Sequence, residues 1–401
     1  MERGFKMNKR RDNRGRILRN GESQRSDGRY AYKYTGMNGK LQFFYSWKLT
    51  ATDTVPKGKR DCISLREKEK EIQRDRLDGI DTACKKITVC ELYAKHINIR
   101  KDVSRNTEKG RQILMDILSN DILGMKSIDT VKLSDAKEWI TRMHEKGYSF
   151  QTINNYKRSL KATFYTAIDD DLIRKNPFNF DIRTVLTDDT KSKIILTKEQ
   201  KESMLSFAET DTVYKKHIDE IIVLLHTGLR ISELCGLTIS DIDFENRVIT
   251  VDHQLLKDSK LGYYTRPPKT KSGVRKIPMD DKAYDALQNV VKNRVNARPV
   301  NIDGYTDFLF ISKTGYPKVV ENYGNMLKQL VKKYNRKHTD QLPLLTPHSL
   351  RHTFCSHMAN AGMNPKALQY IMGHSNITMT LDYYTHVSFD TVKDEMARFT
   401  A

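Results

Sequence analysis

The chain is short of the features that mark secreted and membrane proteins. Among its 401 residues are five cysteines, Cys62, Cys84, Cys90, Cys235 and Cys355, odd in number and scattered without a CxxC pair. That excludes a disulfide framework and fits reduced thiols. No stretch approaches the ~20 consecutive apolar residues of a membrane span. The opening run MERGFKMNKRRDNRGR is basic but has no apolar core, so it is not expected to be a secretory signal. Negative charge is also scarce: 50 acidic side chains face 70 basic ones, a formal net charge of +20. So basic a chain is expected to meet a polyanion, nucleic acid first; the bland alternative is a generic basic protein. The excess is uneven, with 16 Lys/Arg against 5 Asp/Glu in residues 1–60, which predicts a dedicated basic module there.

The length predicts two or three domains of about 100–200 residues each, and the patterning divides the chain into three modules. In the first, about 1–82, the Asp27-Gly28 turn precedes residues 29–34, which alternate aromatic with polar or cationic side chains. Residues 36–39 form a second turn before a strand over 41–49, and 16–19 could add another strand. Residues 64–77 read as a charged helix ending near Asp78-Gly79. A small sheet backed by a helix can present Arg29 and Lys33 to a DNA groove. So small a domain needs its aromatics inside, so most of Tyr30, Tyr32, Tyr34, Phe43 and Trp47 are expected in its core.

The second module, about 86–178, is helical. Thr88-Val89-Cys90-Glu91 has capping-box spacing, and further helices are predicted over 105–118, from Ser134 through Met143, and over 149–168. In the last, Ile153, Tyr156, Leu160, Phe164 and Ile168 share a face, with Lys157, Arg158 and Lys161 placed off it. Those three cations are either phosphate grips or an ordinary solvated face. Asn176-Pro177 stops the helix, and 180–196 read as a linker.

The third module, about 190–401, opens on a capping box at Thr197-Lys198-Glu199-Gln200. An apolar helix over 218–225 breaks at Gly228, and Leu229-Arg230-Ile231-Ser232-Glu233-Leu234 starts the next. Strands are predicted over 248–255, 263–269 and 274–279, the last two joined by a tight turn at Ser272-Gly273. Helix over 281–294, strand over 308–311 and helix over 319–334 follow. The class is therefore multidomain and mainly α: a small N-terminal sheet with a helix, a helical bundle, and a mostly helical module with a small antiparallel sheet.

Chemistry concentrates in the stretch 345–387. His348, Arg351 and His352 are followed by Gly373-His374 and the doublet Tyr383-Tyr384. His348, His352, Cys355 and His357 could suggest a metal, but on one helix His357 would point away from the others, and no HExxH is present. No metal is expected. Arg230, flanked by Leu229 and Ile231 at a Gly-broken helix junction, is expected to face inward. Lys269 and Lys271 flank a turn, where surface lysines are ordinary. A tyrosine is a poor nucleophile at its free pKa of ~10 and needs cations to stabilise the phenolate.

Taken together, Thr227–Leu234, Pro268–Gly273, His348-Ser349-Leu350-Arg351-His352, Gly373-His374 and Tyr384-Thr385-His386-Val387 resemble a tyrosine recombinase of the phage-integrase superfamily. The segments Arg10–Gly15 and Asp27–Tyr30 are similar to those of integrases from Gram-positive conjugative transposons. The resemblance implies an arm-type DNA-binding domain (1–82), a core-binding SAM-like helical domain (86–178) and a catalytic domain (190–401). It implies cleavage by tyrosine attack on a scissile phosphate, giving a 3′-phosphotyrosine and a free 5′-hydroxyl, with no cofactor. Carried over, Arg230 and Arg351 hold the non-bridging oxygens and His374 adds a hydrogen bond. His348 handles the nucleophile's proton, Lys269 (in competition with Lys271) protonates the leaving oxygen, and Tyr384 (in competition with Tyr383) attacks. Arg29, Lys33, Lys157, Arg158 and Lys161 are expected on DNA. Implied partners are double-stranded DNA (element ends, circular intermediate and target site), further copies as a dimer or tetramer on DNA, an excisionase and a DNA-bending protein, in a bacterial cytoplasm. Competing expectations are a strand-resolving enzyme of the same chemistry and a catalytically silent DNA-binding regulator.

Overall fold

The computed structural model describes residues 10–36, 41–77, 87–101, 103–190, 192–294, 299–384 and 396–397. Cys84, the turn residues 37–39, Asp78-Gly79 and residues 385–395 lie outside them. The chain forms two compact units, one running to residue 191 and the other beginning at Ser192. Among the described residues no helix is long and apolar enough to cross a membrane.

Alternation decides the first sheet. Strands β1 (Glu22–Gln24), β2 (Tyr30–Thr35) and β3 (Leu41–Ser46) pair antiparallel in that order. The strand expected over 16–19 is absent: Asp12 accepts the backbone N–H of Arg14 and Arg16 and folds that stretch into a turn, leaving Ile17 a single bridge to Arg11. Helix α1 (Leu65–Leu77) lies behind the sheet, and Leu18, Tyr30, Tyr32, Leu49, Leu65 and Ile72 fill the gap. The register sets Lys33 opposite Phe43, Ala31 opposite Tyr45 and Thr35 opposite Leu41, so all six share the other face. On it Leu41, Phe43 and Tyr45 stay 53%, 50% and 41% exposed. Phe43 is therefore not core, against expectation, because the period-2 alternation that buries Tyr30 and Tyr32 turns it outward. The guanidinium groups of Arg25 and Arg29 lie over the Tyr45 ring, and Arg29 and Lys59 over Trp47.

Five helices follow: α2 (Val89–Ile99), α3 (Arg105–Ser119), α4 (Ile122–Met125), α5 (Leu133–Glu145) and α6 (Phe150–Asp169). The Thr88–Glu91 capping box is formed in both directions. The helices enclose Tyr93, Trp139, Phe164 and Phe178. Lys157 corrects the sequence-based assignment. Ile153, Lys157, Leu160 and Phe164 make the buried stripe of α6, an i, i+4, i+7, i+11 series that carries Lys157 inward. Its stem is buried, its ammonium donates to Phe180 O, and it sits 4.6 Å from the Phe180 ring centroid. It has no free face for a phosphate, whereas Arg158 is exposed. The supposed linker is also partly structured, since Ile182 belongs to this core and Phe180, Val185 and Leu186 pack against it.

The second unit opens with α7 (Lys198–Thr210), α8 (Ile218–Thr227) and α9 (Ile231–Gly236). Strands β4 (Ile242–Asp243) and β5 (Val248–Val251) then lead to β6 (Gln254–Asp258), β7 (Gly262–Arg266) and β8 (Arg275–Pro278). Helices α10 (Asp281–Lys292), α11 (Val320–Lys337), α12 (Pro347–Asn360), α13 (Pro365–Met372) and α14 (Thr378–Leu381) complete it. Three expectations fail here. The run 248–255 is two strands in different sheets, because His253 turns inward, stacks on Tyr305 at 3.9 Å and bonds Gly236 O. Consequently β7 pairs with β6, β8 pairs with β5, and residues 267–274 are a loop between two sheets rather than a hairpin tip. The predicted strand over 308–311 is a buried apolar run with isolated bridges at Phe308 and Ile311. Apolar runs this short do not reveal their conformation by pattern.

Helix α8 is buried along Ile221, Val223, Leu224 and Leu225 and packs against α10 and α12. It ends at Gly228, whose φ is +63°; a Cβ there would come within 2.5 Å of the Phe354 ring. Only glycine turns this corner. The buried ammonium gives a direct check by chemical denaturation. Lys157→Ala should lower the unfolding free energy of the bundle by about 1–3 kcal/mol, while Arg158→Ala should stay within about 0.5 kcal/mol.

Candidate active site

The corner at Gly228 delivers Arg230 as the N-cap of α9. Glu233, three residues on, accepts the Arg230 backbone N–H at 2.9 Å and its Nη1 at 2.6 Å. Arg230 Nη2 donates to Gly373 O at 2.8 Å. From α12, the buried Arg351 donates to Gly228 O and to Met372 O. The two guanidinium groups thus hold consecutive carbonyls, Met372 and Gly373, at the C-terminal end of α13. Burial, and then Arg230, push the Arg351 pKa down to about 9. Cations crowded in this way favour an anion between them.

His374 follows directly. It is buried, and its Nδ1 lies 2.9 Å from Thr380 Oγ1. Burial, then Arg351 and Arg230, press its pKa down to about 4, which leaves it neutral at pH 7. His348 starts α12 one turn before Arg351 and keeps an exposed edge; partial burial, then Arg351 and Arg230, hold its pKa below the ordinary imidazole value. His352 is pushed down to about 4, first by burial and then by Lys193.

The tyrosines divide. Tyr383 is buried, with its hydroxyl 2.5 Å from His352 Nδ1 and Lys193 Nζ 4.5 Å from its ring centroid. Burial, and then Cys355, raise its pKa well above the phenol value. Tyr384 is half-buried and donates to Met363 O at 2.5 Å. Lys269 and Lys271 both lie exposed on the loop between β7 and β8. The structure therefore gathers Arg230, Arg351, His374 and His348. Among the described residues no hydrogen bond joins Lys269 or Tyr384 to either arginine.

Sequence reasoning gave no role to Glu233, Thr380 or Lys193, and weighed His352 only within its motif and as a metal ligand. Only Glu233 left a local signal, an acid in the first turn of a helix that an arginine caps. Lys193 sits in the supposed linker, which Leu196 anchors through Thr353 Oγ1 and His357. Asp241, Asp252 and His253 are the one metal-like grouping among the described residues, but His253 uses Nδ1 on Asp252 and Nε2 on Gly236 O. His357 of the His/Cys series is likewise spent on Leu196 O.

Comparison with known proteins gives this geometry a context. Successive stretches match a DNA binding domain of tn916 integrase (6–76), a phage integrase SAM-like domain (88–185) and the phage integrase family (195–391). Over 390 residues the chain is 62% identical to the transposase from transposon Tn916 of Enterococcus faecalis, spanning 97% of this chain and 96% of that one. The chain belongs to the phage integrase family. This integrase is a site-specific tyrosine recombinase, equally similar (62%, 97% and 96% covered) to the transposase from Tn1545 of Streptococcus pneumoniae. A Tn1549 transposon integrase solved in complex with a circular intermediate DNA superposes with a TM-score of 0.75 at 61% identity, covering 78% of this chain and 99% of that one.

The neutral histidines of the integrase make stability depend on pH. His352 and His374 have folded pKa values of about 4, below the ~6.5 of an unfolded histidine. As pH falls below ~6.5 the unfolded chain takes up protons that the folded one refuses. Without DNA, urea stability should be full above about pH 6.5 and fall towards pH 5, by up to about 1.4 kcal/mol per pH unit per histidine. His374→Gln should remove its share, and a profile unchanged by that substitution would contradict the assignment.

Proposed function

We propose that this integrase excises and inserts a mobile element of the conjugative-transposon type through a phosphotyrosyl intermediate formed on Tyr384. The observation that carries the reading is the pair of guanidinium groups on the consecutive carbonyls of Met372 and Gly373. Planar, always charged and fixed side by side, they suit the two non-bridging oxygens of one phosphate. With the Thr380 hydroxyl donating to Nδ1, His374 presents Nε2–H to the same phosphate. His348, neutral because its pKa is lowered, takes the phenolic proton as Tyr384 attacks phosphorus. Lys269 gives a proton to the departing 5′-oxygen. The new Tyr384–phosphate bond conserves the energy of the one broken, so the 5′-hydroxyl of a partner strand can reverse the step, through a Holliday junction, without a metal or a nucleotide.

Support for Tyr384 over Tyr383 comes from spacing. Of two solved Tn1549 integrase complexes, one carries an arginine-to-lysine and the other a tyrosine-to-phenylalanine substitution, at positions 154 apart. Arg230 and Tyr384 are likewise 154 apart. Catalysis then requires Tyr384 to leave Met363 O while Thr380 stays on His374 and Tyr383 stays docked on His352.

Those solved relatives are in complex with circular intermediate DNA or with transposon right end DNA, and we extend the same substrates to this chain. Residues 1–82 act as the arm-site module through the face bearing Lys33, Phe43, Tyr45 and Arg29. Residues 86–178 hold core-site DNA with Arg158 and Lys161, and 190–401 cut it. Assembly as a tetramer on paired sites in the bacterial cytoplasm, helped by an excisionase and a DNA-bending protein, completes the proposal.

A nicked suicide duplex carrying an element end tests the chemistry. Wild type and Tyr383→Phe should yield a covalent complex and Tyr384→Phe none. Trapping by Tyr384→Phe would overturn the nucleophile, and absence of any complex with wild type would favour a silent DNA-binding regulator. Binding to arm-site DNA tests the first module: deleting residues 1–82 should flatten the salt dependence by about one unit of slope for each phosphate that the module neutralises.

A further inference from the structure

We propose that Arg275 is a positioning residue that sets Arg230, the Lys269 loop and the Gly373-His374 turn against one another. Its side chain is 0% exposed, and its hydrogen bonds reach three separate segments. Nη2 donates to Glu233 Oε2 at 2.9 Å, and Nη1 to Glu233 Oε1 at 3.2 Å and to Gly273 O at 3.0 Å. Nε donates to Ile371 O at 2.6 Å. The guanidinium also lies directly against the turn that precedes His374: a Cβ on Gly373 would come 3.0 Å from Arg275 Nη1.

Each bond acts on a different part of the site. Glu233 Oε1 is shared, bonding Arg230 Nη1 at 2.6 Å and Arg275 Nη1 at 3.2 Å. By occupying both oxygens of Glu233, Arg275 keeps that carboxylate from closing a two-pronged fork on Arg230, so Arg230 stays turned towards the phosphate. The bond to Gly273 O pins one end of the loop that carries Lys269. Strand β8 begins at Arg275 itself and is paired with β5, so that end is fixed to the sheet. The bond to Ile371 O holds the last turn of α13, two residues before Gly373. A guanidinium makes these four hydrogen bonds from three nitrogens spread over one plane, whereas an ammonium has three N–H bonds on a single nitrogen. Stability alone is a weak reason to bury such a pair, since apolar replacements of buried ion pairs often fold as well.

The inference rests on the reading of Arg230 as a phosphate clamp and Lys269 as the proton donor. The test uses the full chain on suicide duplexes with either oxygen or sulfur as the 5′-bridging atom. Sulfur leaves as a thiolate without needing a proton, so it bypasses Lys269 but not Arg230. On the oxygen duplex, Arg275→Met should trap on the order of 10²-fold more slowly, with DNA affinity changed less than about threefold. Sulfur should restore part of that loss, whereas for Lys269→Met it should restore nearly all. If Arg275→Met proves unfolded, Arg275→Lys, which keeps the charge, should still trap slowly and show the same raised sulfur preference. A rate equal to wild type in either folded variant, or a loss with the wild-type ratio of sulfur to oxygen rates, would overturn the proposal. Failure of wild type to trap on either duplex would instead strike at the recombinase chemistry.

Discussion

The carboxylate of Glu233 is a buried anion hydrogen-bonded to two of the arginines at the core of the second unit. It is almost wholly enclosed, bonded to Arg230 on one side and Arg275 on the other, while Arg351 stands close by on backbone carbonyls. Desolvation works against its charge, and Arg275 and Arg230 hold its pKa below the usual carboxylate range all the same. Three guanidinium groups around one carboxylate leave a surplus of positive charge out of water. Such a surplus is tolerable in a folded protein when hydrogen bonds satisfy the donors, and it becomes an advantage when an external anion completes it.

The fold is arranged to hold that surplus in place. Two glycines with left-handed backbone, Gly228 and Gly373, end α8 and α13 and turn their carbonyls towards the arginines. Because each arginine spends donors on carbonyls that are themselves the ends of packed helices, the clamp cannot drift without disturbing the core. Preorganised donors of this kind stabilise a transition-state phosphate without reorganising during the reaction. Burial, reinforced by the same cations, holds the pKa values of His348 and His374 below the ordinary imidazole value.

The tyrosine doublet stands apart from the two arginines. Tyr384 is tied to Met363 O, and its neighbour Tyr383 is held by His352 and Lys193. On the proposed reading, Tyr384 leaves Met363 O to reach arginines that are already fixed, so that phosphate binding precedes the start of chemistry.

Much of this was determined by the sequence. Charge surplus indicated a polyanion; capping boxes at Thr88 and Thr197 and the Gly228 break set helix starts and stops; and Arg230, His348, Arg351, His374 and the tyrosine doublet were visible as motifs. These features are local, written in spacings of a few residues. Tertiary structure decided what spacing cannot express. Lys157 went inward because a neighbouring carbonyl and ring could satisfy its ammonium. Phe43 stayed outside because sheet register, not hydrophobicity, chose its face. The Lys269 loop ceased to be a hairpin once His253 broke the preceding strand and sent β7 and β8 to different partners. Arg275 looks like any basic residue of a strand in the sequence. Its importance lies in hydrogen bonds to residues 42 and 96 positions away, and such bonds exist only after the chain has folded and closed around Glu233.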